Sequence, residues 1–409
     1  MSSNHRLRME ATEREASVTP LELFFDLVFV FGLTQVTSLM EHNPTVGGLI
    51  RGLLVLSLLW WSWVGYAWLG NVVRADEGAA RLAMLAAMAA MFVMALAIPE
   101  AFDDELGGLP GPIVVGTCYF AFRALHLVLF WIISGDDPGL RGQVVRFAPS
   151  MLGGTTLLLA ASQLEGSAQT VAWAGALVAD YGGTLLGGAS GWRLRSPHHF
   201  AERHGLIVIV ALGESIVAIG VGISGQPISW PVVLAAVTGL ALAAALWWTY
   251  FDVTSILAER ALAAAPDEHR ARLARDAYSY LHLPIVAGVV LVALGLTHVL
   301  GSEGAGGEHP ADEALGWLPA VALYGGLALF LLAHVAFKRR TTGNTSVHRV
   351  VFGGVALALI PVAAGLPALV ALGVLVGVAA AMVTFEKIRF AEERVLIRHD
   401  AGRETPPLD

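Results

Sequence analysis

Apolar residues fill long windows of this chain, and charged residues collect in the gaps between them. The windows run approximately 21–40, 48–69, 80–98, 112–133, 145–162, 169–188, 204–224, 230–251, 277–299, 316–337, 349–365 and 367–385. Several approach the roughly 20 residues that a helix needs to cross about 30 Å of hydrocarbon. The pattern predicts an all-α polytopic membrane protein of about 12 transmembrane helices. The last two windows are short, and Gly365-Leu366-Pro367 leaves a tight turn between them. That region is therefore either two spans or a single re-entrant hairpin, and whether 366–385 is a full span stays open on sequence alone.

Composition supports the same class. Of 409 residues, 56% are hydrophobic and 14% are charged, against about 25% charged in soluble domains. The net charge of −8 sits largely in loops and tails, so it gives no reason to expect nucleic acid as a partner. The single cysteine, Cys118, rules out an intrachain disulfide framework or a cysteine metal site. The first twenty residues are polar and lack the apolar core of a signal peptide, so the first span is expected to direct insertion.

The positive charges set an expected orientation. With loops assigned to alternate sides, 23 of the 25 Lys and Arg fall on the side of the N-terminus, the exceptions being Arg51 and Arg123. Positive loops are retained in the cytoplasm, which predicts that both termini are cytoplasmic. The expected organisation is a cytoplasmic tail 1–20, a six-helix half 21–190, a second half 191–385 and a cytoplasmic tail 386–409, with 386–398 as an amphipathic helix along the membrane face. The halves share weak similarities: Leu59-Trp60-Trp61-Ser62 with Leu246-Trp247-Trp248-Thr249, Glu22 with Glu202, His126 with His334, and acidic outer loops after the third and ninth windows. Together they suggest a 6+6 parallel internal repeat.

Two stretches carry a family resemblance. Thr19-Pro-Leu-Glu-Leu-Phe-Phe-Asp-Leu-Val-Phe-Val-Phe31 and Glu202-Arg-His-Gly-Leu-Ile-Val-Ile-Val-Ala-Leu-Gly-Glu-Ser215 resemble motifs of the bacterial low temperature requirement protein A (LtrA) family. The resemblance implies a multi-spanning protein of the bacterial plasma (inner) membrane, in a family named for a growth phenotype. It assigns no catalytic role to any position, so the chemistry must be read from the residues.

Charges inside apolar windows are the candidates. A charge at the centre of a membrane helix costs roughly 3 kcal/mol on insertion scales, so it usually faces protein or water and often marks function. Glu22 and Asp26 are four residues apart, which places both on one face of the first helix. Glu214 and Asp180 lie deep in their windows, and Arg123 and His126 share a face of the fourth. Glu202 and His204 flank the start of the seventh. Arg123 reads as the one deep base that stays charged, against three deep acids. The excess acids are expected to be protonated, hydrated or bound to a cation, as in a proton or cation pathway; the alternative is a buried charge cluster that locks the bundle.

The remaining candidate chemistry is sparse. His-x-x-x-His spacing is missing, which argues against a metal site, and His198-His199 and the other histidines read as interfacial or packing residues. Trp60, Trp61, Trp63, Tyr66 and Trp68 read mostly as belt and packing aromatics, with a ring cage for a cation as the alternative. No Walker, dinucleotide-fold or Gly-x-Ser-x-Gly motif is present, no cofactor is implied, and the loop 252–276 is too short for a nucleotide-binding domain. The expected activity is transport or permeation of a small solute or ion without ATP, possibly proton-coupled, with the lipid bilayer as the other partner. The alternatives are a membrane-embedded enzyme acting on a lipid or isoprenoid, and a non-transporting envelope protein in cold adaptation.

Overall fold

The computed structural model describes residues 16–404 apart from 75, 77, 105, 106, 136, 226 and 303–313. Arg6, Arg8 and Arg14 of the orientation count, and the loop acids Glu105, Glu303, Glu308, Asp312 and Glu313, lie outside the described residues. The described residues form helices α1 (Pro20–His42), α2 (Val46–Val72), α3 (Gly78–Leu96), α4 (Gly111–Ser134), α5 (Pro138–Ala161), α6 (Gly166–Leu186), α7 (Pro197–Gly222) and α8 (Trp230–Phe251). They continue with α9 (Thr254–Ala264), α10 (Asp267–Leu273), α11 (His282–Ser302), α12 (Trp317–Ala320), α13 (Gly326–Thr342), α14 (Val347–Ala363), α15 (Ala368–Arg389) and α16 (Ala391–Glu404). Wider π-helical turns, Ala274–Tyr280 and Val321–Gly325, lead into α11 and α13. The fold is all-α: the described residues form no strand, and Ala314 pairs with Pro367 in an isolated bridge.

Every apolar window coincides with a helix, and local chemistry marks the starts. Thr19 caps α1, Thr45 caps α2 and Asp137 caps α5, each accepting from a backbone N–H of the first turn. Gly343, at φ +75°, ends α13 in the left-handed conformation that glycine adopts without strain. Among the described residues, ten helical runs are long and apolar enough to cross a membrane. A count of twelve also needs α6, 21 residues with Gln169 and Asp180 inside it, and α14, which has 17 residues. The 22-residue α15 is one of the ten. The turn before it is clamped by Leu315 N–H to Leu366 O (2.8 Å) and Gly316 N–H to Ala364 O (3.1 Å).

Two expectations need correction. The stretch 252–276 is helical rather than an open loop, and the helical runs Trp230–Ala264 and Asp267–Gly301 are 35 residues each. Both runs are interrupted, by a turn at Asp252-Val253 in the first and by a π-helical segment and a turn at Leu281 in the second. Strong helix formers such as Leu257, Ala258, Glu259, Arg260, Ala261 and Leu262 start a new helix, α9, after that first turn, where hydropathy alone would end a span. The helix expected over 386–398 is instead divided, because α15 runs to Arg389 and α16 starts at Ala391.

The chain forms two compact units: residues up to Arg203 with Ala265–Arg275, and His204–Ala264 with the residues from Asp276 on. The division falls inside α7, later than the loop position near 190. The first residues of α7 are tied to α1 and α2, as described below. In the first unit α2 is the central helix: it contacts α1, α4 and α6, and Trp60, Trp63 and Tyr66 on it are fully buried. In the second unit α11 packs on α13. The two backbones come close at Gly288 and Gly326. A Cβ on Gly288 would lie 2.7 Å from Phe330 N and 2.8 Å from Gly326 O, so only small residues allow this approach.

Candidate functional site

The Thr-Pro-Leu-Glu start of α1 builds the site's first half. Thr19 and Glu22 form a capping box: Glu22 N–H donates to Thr19 Oγ1 (3.3 Å), and Thr19 N–H donates to Glu22 Oε2 (3.0 Å). This fixes the Glu22 carboxylate at the first turn, where the helix dipole also favours a negative charge. One turn on, the same face carries Asp26, then Phe29, Leu33 and Thr37, all buried.

The first turns of α7 supply the second half. His199 and Arg203 are also four residues apart, so a pair of cationic or donor side chains faces the pair of acids. His199 Nε2 donates to Glu22 Oε2 at 3.0 Å. Arg203 bridges the acids, Nη1 donating to Glu22 Oε1 at 3.0 Å and Nη2 to Asp26 Oδ1 at 2.8 Å. Arg203 is wholly buried at 0% exposure, and its guanidinium carbon lies 5.4 Å from the Trp63 ring centre. From α2, Trp63 Nε1–H donates to Asp26 Oδ1 at 2.7 Å. Asn71 holds the chain entering α7, donating through Nδ2 to Ser196 O at 2.6 Å and accepting from Arg195 N–H at 2.8 Å. Gly70 makes the room: a Cβ there would sit 2.3 Å from Glu22 Oε1.

The balance of this cluster is unequal. Glu22 is saturated, with donors on both oxygens. Asp26 takes both of its donors on Oδ1, and its buried Oδ2 has no hydrogen-bond partner among the described residues. Two carboxylates share one guanidinium, and His199 serves Glu22. A buried polar atom left in this state calls for an explanation such as a proton, a water or an ion.

A second buried pair lies elsewhere in the same unit, and both oxygens of its carboxylate have donors. Arg123 Nη2 donates to Asp180 Oδ1 at 2.8 Å and to Oδ2 at 3.0 Å, and Tyr119 O–H donates to Oδ2 at 2.6 Å. One cation meets one anion, with the Phe147 ring 5.0 Å from the guanidinium carbon. His126, on the same face as Arg123, donates from Nε2 to Gly65 O at 3.0 Å. The arrangement fits a lock between α4 and α6.

The expected site residues therefore separate. Glu22 and Asp26 are brought together with each other, and Arg123 with Asp180. Glu202 is part-exposed and accepts from Val18 N–H at 3.0 Å. His204 and Glu214 belong to the second unit, both buried, and the His204 ring lies 5.1 Å from Tyr278 and 5.2 Å from His282. Arg123 is not the one buried base: Arg203, counted as a loop charge, is buried against the two acids of α1. His199 is a ligand of Glu22 rather than a packing residue, and Trp63 is a donor to Asp26 rather than a belt aromatic. The signals for them were in the chain: the capping-box spacing Thr19-x-x-Glu22 and the four-residue spacing of His199 and Arg203. No group of three or more His, Cys, Asp or Glu able to hold a metal occurs among the described residues.

Comparison with known proteins places this geometry in context. The family model described as bacterial low temperature requirement A protein (LtrA) matches residues 17–384, which include every residue of the Glu22–Asp26–Arg203 cluster. The chain is 29% identical over 371 residues to "Uncharacterized protein RA0937" of Rhizobium meliloti strain 1021, covering 86% of this chain and 85% of that protein. No solved structure matches the chain.

Proposed function

The chain belongs to the bacterial low temperature requirement A (LtrA) family, and on that footing we propose that it moves a small solute or ion across the membrane without ATP, with Asp26 as the group that takes up and releases a proton. The observation that carries the proposal is the buried Asp26 Oδ2, without a partner among the described residues, in a cluster with two carboxylates and one guanidinium. Protonation there adds a donor at the one bare oxygen and brings the cluster to one negative against one positive charge. Glu22, saturated by Thr19, His199 and Arg203, holds Arg203 in place. The reading includes twelve spans, with α6 and α14 crossing, both termini in the cytoplasm and the plasma membrane as the location; the alternating Lys and Arg loops support it.

The test is flux in proteoliposomes. Purified protein is reconstituted with a pH-sensitive dye inside, a pH gradient is imposed, and a panel of ions and small solutes is added in turn. The proposal expects at least one solute to move protons with it, and Asp26→Asn to abolish that movement while leaving the protein folded. Flux that is equal in wild type and Asp26→Asn would remove Asp26 from the mechanism.

A further inference from the structure

A cavity of about 100 Å³ opens in the second unit where α8, α9, α13, α14, α15 and α16 meet. For scale, an apolar cavity of about 150 Å³ takes up benzene, so this one has room for a tetrahedral oxyanion but not for a whole lipid. Its buried carboxylates are each held twice. Glu386 accepts from Arg349 Nε at 2.7 Å and His348 Nε2 at 2.6 Å. Asp252 pairs with Arg394 Nη2 at 2.6 Å and Arg398 Nη1 at 3.4 Å. Glu393, the other lining acid, is exposed.

Three lining side chains keep unused donors. Lys338 Nζ has no hydrogen-bond or ion-pair partner among the described residues, and Arg394 Nη1 and Trp248 Nε1 are buried without an acceptor. The Trp248 ring also carries Lys387 Nζ at 4.6 Å and the Arg394 guanidinium carbon at 5.4 Å, which adds positive potential. Ammonium, guanidinium and indole N–H can donate but not accept. A wall with spare donors, whose two enclosed carboxylates Glu386 and Asp252 are committed, matches a guest that only accepts.

We propose that this cavity binds a phosphate-type oxyanion, supplied as free phosphate or as the headgroup of an anionic phospholipid. Lys338 and Arg394 Nη1 are its charged contacts and Trp248 Nε1 its neutral one. Because α16 supplies Arg394, occupancy also fastens the C-terminal helix to α8. The proposal stands apart from the Asp26 cluster, so neither depends on the other.

The test uses full-length protein and thermal unfolding. In one arm detergent-purified protein is titrated with inorganic phosphate; in the other, nanodiscs of phosphatidylcholine with or without phosphatidylglycerol are compared. Wild type should be stabilised in at least one arm. Lys338→Gln should weaken the response by about tenfold in apparent Kd, the size of one charge-assisted hydrogen bond, and Lys338→Arg should retain it. Lys338 Nζ makes no direct hydrogen bond or ion pair among the described residues, so its replacement breaks neither, and Trp248→Phe gives a second, uncharged removal of a donor. A response to phosphate assigns the site to the free anion, and a response to phosphatidylglycerol alone assigns it to a headgroup. No stabilisation in either arm, or an equal response in wild type, Lys338→Gln and Trp248→Phe, overturns the proposal.

Discussion

Replacing Arg203 by methionine isolates the one cation that serves both acids of α1. Its guanidinium bonds Glu22 Oε1 and Asp26 Oδ1 at 3.0 and 2.8 Å with no exposure to solvent. Methionine keeps most of the length and removes the charge and both donors. The two carboxylates then face each other's charge, with Trp63, Thr19 and His199 as their remaining partners. Removing one member of a buried ion pair typically costs about 3–5 kcal/mol, because the other charge is left uncompensated. Arg203→Met should therefore unfold at clearly lower denaturant or temperature than wild type. Adding Asp26→Asn should recover part of that loss, and the triple change with Glu22→Gln should recover most of it, since neutral groups of similar shape replace a buried network with little net change. Arg203→Lys should fall between, because an ammonium lacks the planar fork that spans two carboxylates. The assay is equilibrium or kinetic unfolding of detergent-purified protein, followed by tryptophan fluorescence. An Arg203→Met protein within about 0.5 kcal/mol of wild type, the range of an ordinary surface substitution, would refute the reasoning.

Further outcomes follow from close approaches and caps. Gly70→Ala places a Cβ 2.3 Å from Glu22 Oε1 and should destabilise by about 1–3 kcal/mol; shortening the acid with Glu22→Asp in the same protein should recover stability, and an additive double mutant would speak against the contact. Gly288→Ala meets backbone atoms of α13 at 2.7 and 2.8 Å, which cannot rotate away, so α11 and α13 must separate; the melting temperature should fall, while Gly354→Ala, with open space around it, should leave it nearly unchanged. Asp137 caps α5 and also accepts from Arg193 Nε at 2.7 Å. That hydrogen bond, with the backbone N–H groups of Leu140 and Gly139, holds the Asp137 carboxyl below its ordinary range. Its folded value is thus lower than its unfolded one. The stabilisation is present above about pH 4, the ordinary aspartate value, and is lost as pH falls through the folded value. Asp137→Asn keeps the cap and should flatten that acid-side slope in a stability–pH profile.

The fold was largely legible because lipid demands long apolar windows, and each of those windows became a helix. What hydropathy could not read was the charged flank of α7. Ala201-Glu202-Arg203 lies outside the apolar window, so Arg203 counted as a loop charge, yet α7 starts at Pro197 and one face of its first turns is buried against α1 and α2. Neighbouring His198 and His199 show the limit: His198 is 55% exposed, and His199 is 2% exposed on Glu22. Composition assigns both the same role, and only the helix face separates them. Asp26 was legible as a buried acid from its place in Phe24-Phe25-Asp26-Leu27. Its bare oxygen was not, because that depends on Trp63 and Arg203 both choosing Oδ1. The Arg123–Asp180 pair was half legible: the imbalance of deep charges demanded a pairing, but the partner came from packing between α4 and α6.

The proton proposed for Asp26 has a direct spectroscopic test. Infrared difference spectra of reconstituted protein, recorded as pH is stepped, report the carbonyl stretch that a carboxyl group shows only when protonated. Wild type should give such a band that responds to pH, Asp26→Asn should lack it, and Glu22→Gln should keep it. A band that persists unchanged in Asp26→Asn, or that disappears only in Glu22→Gln, would contradict the assignment of the exchanging proton to Asp26.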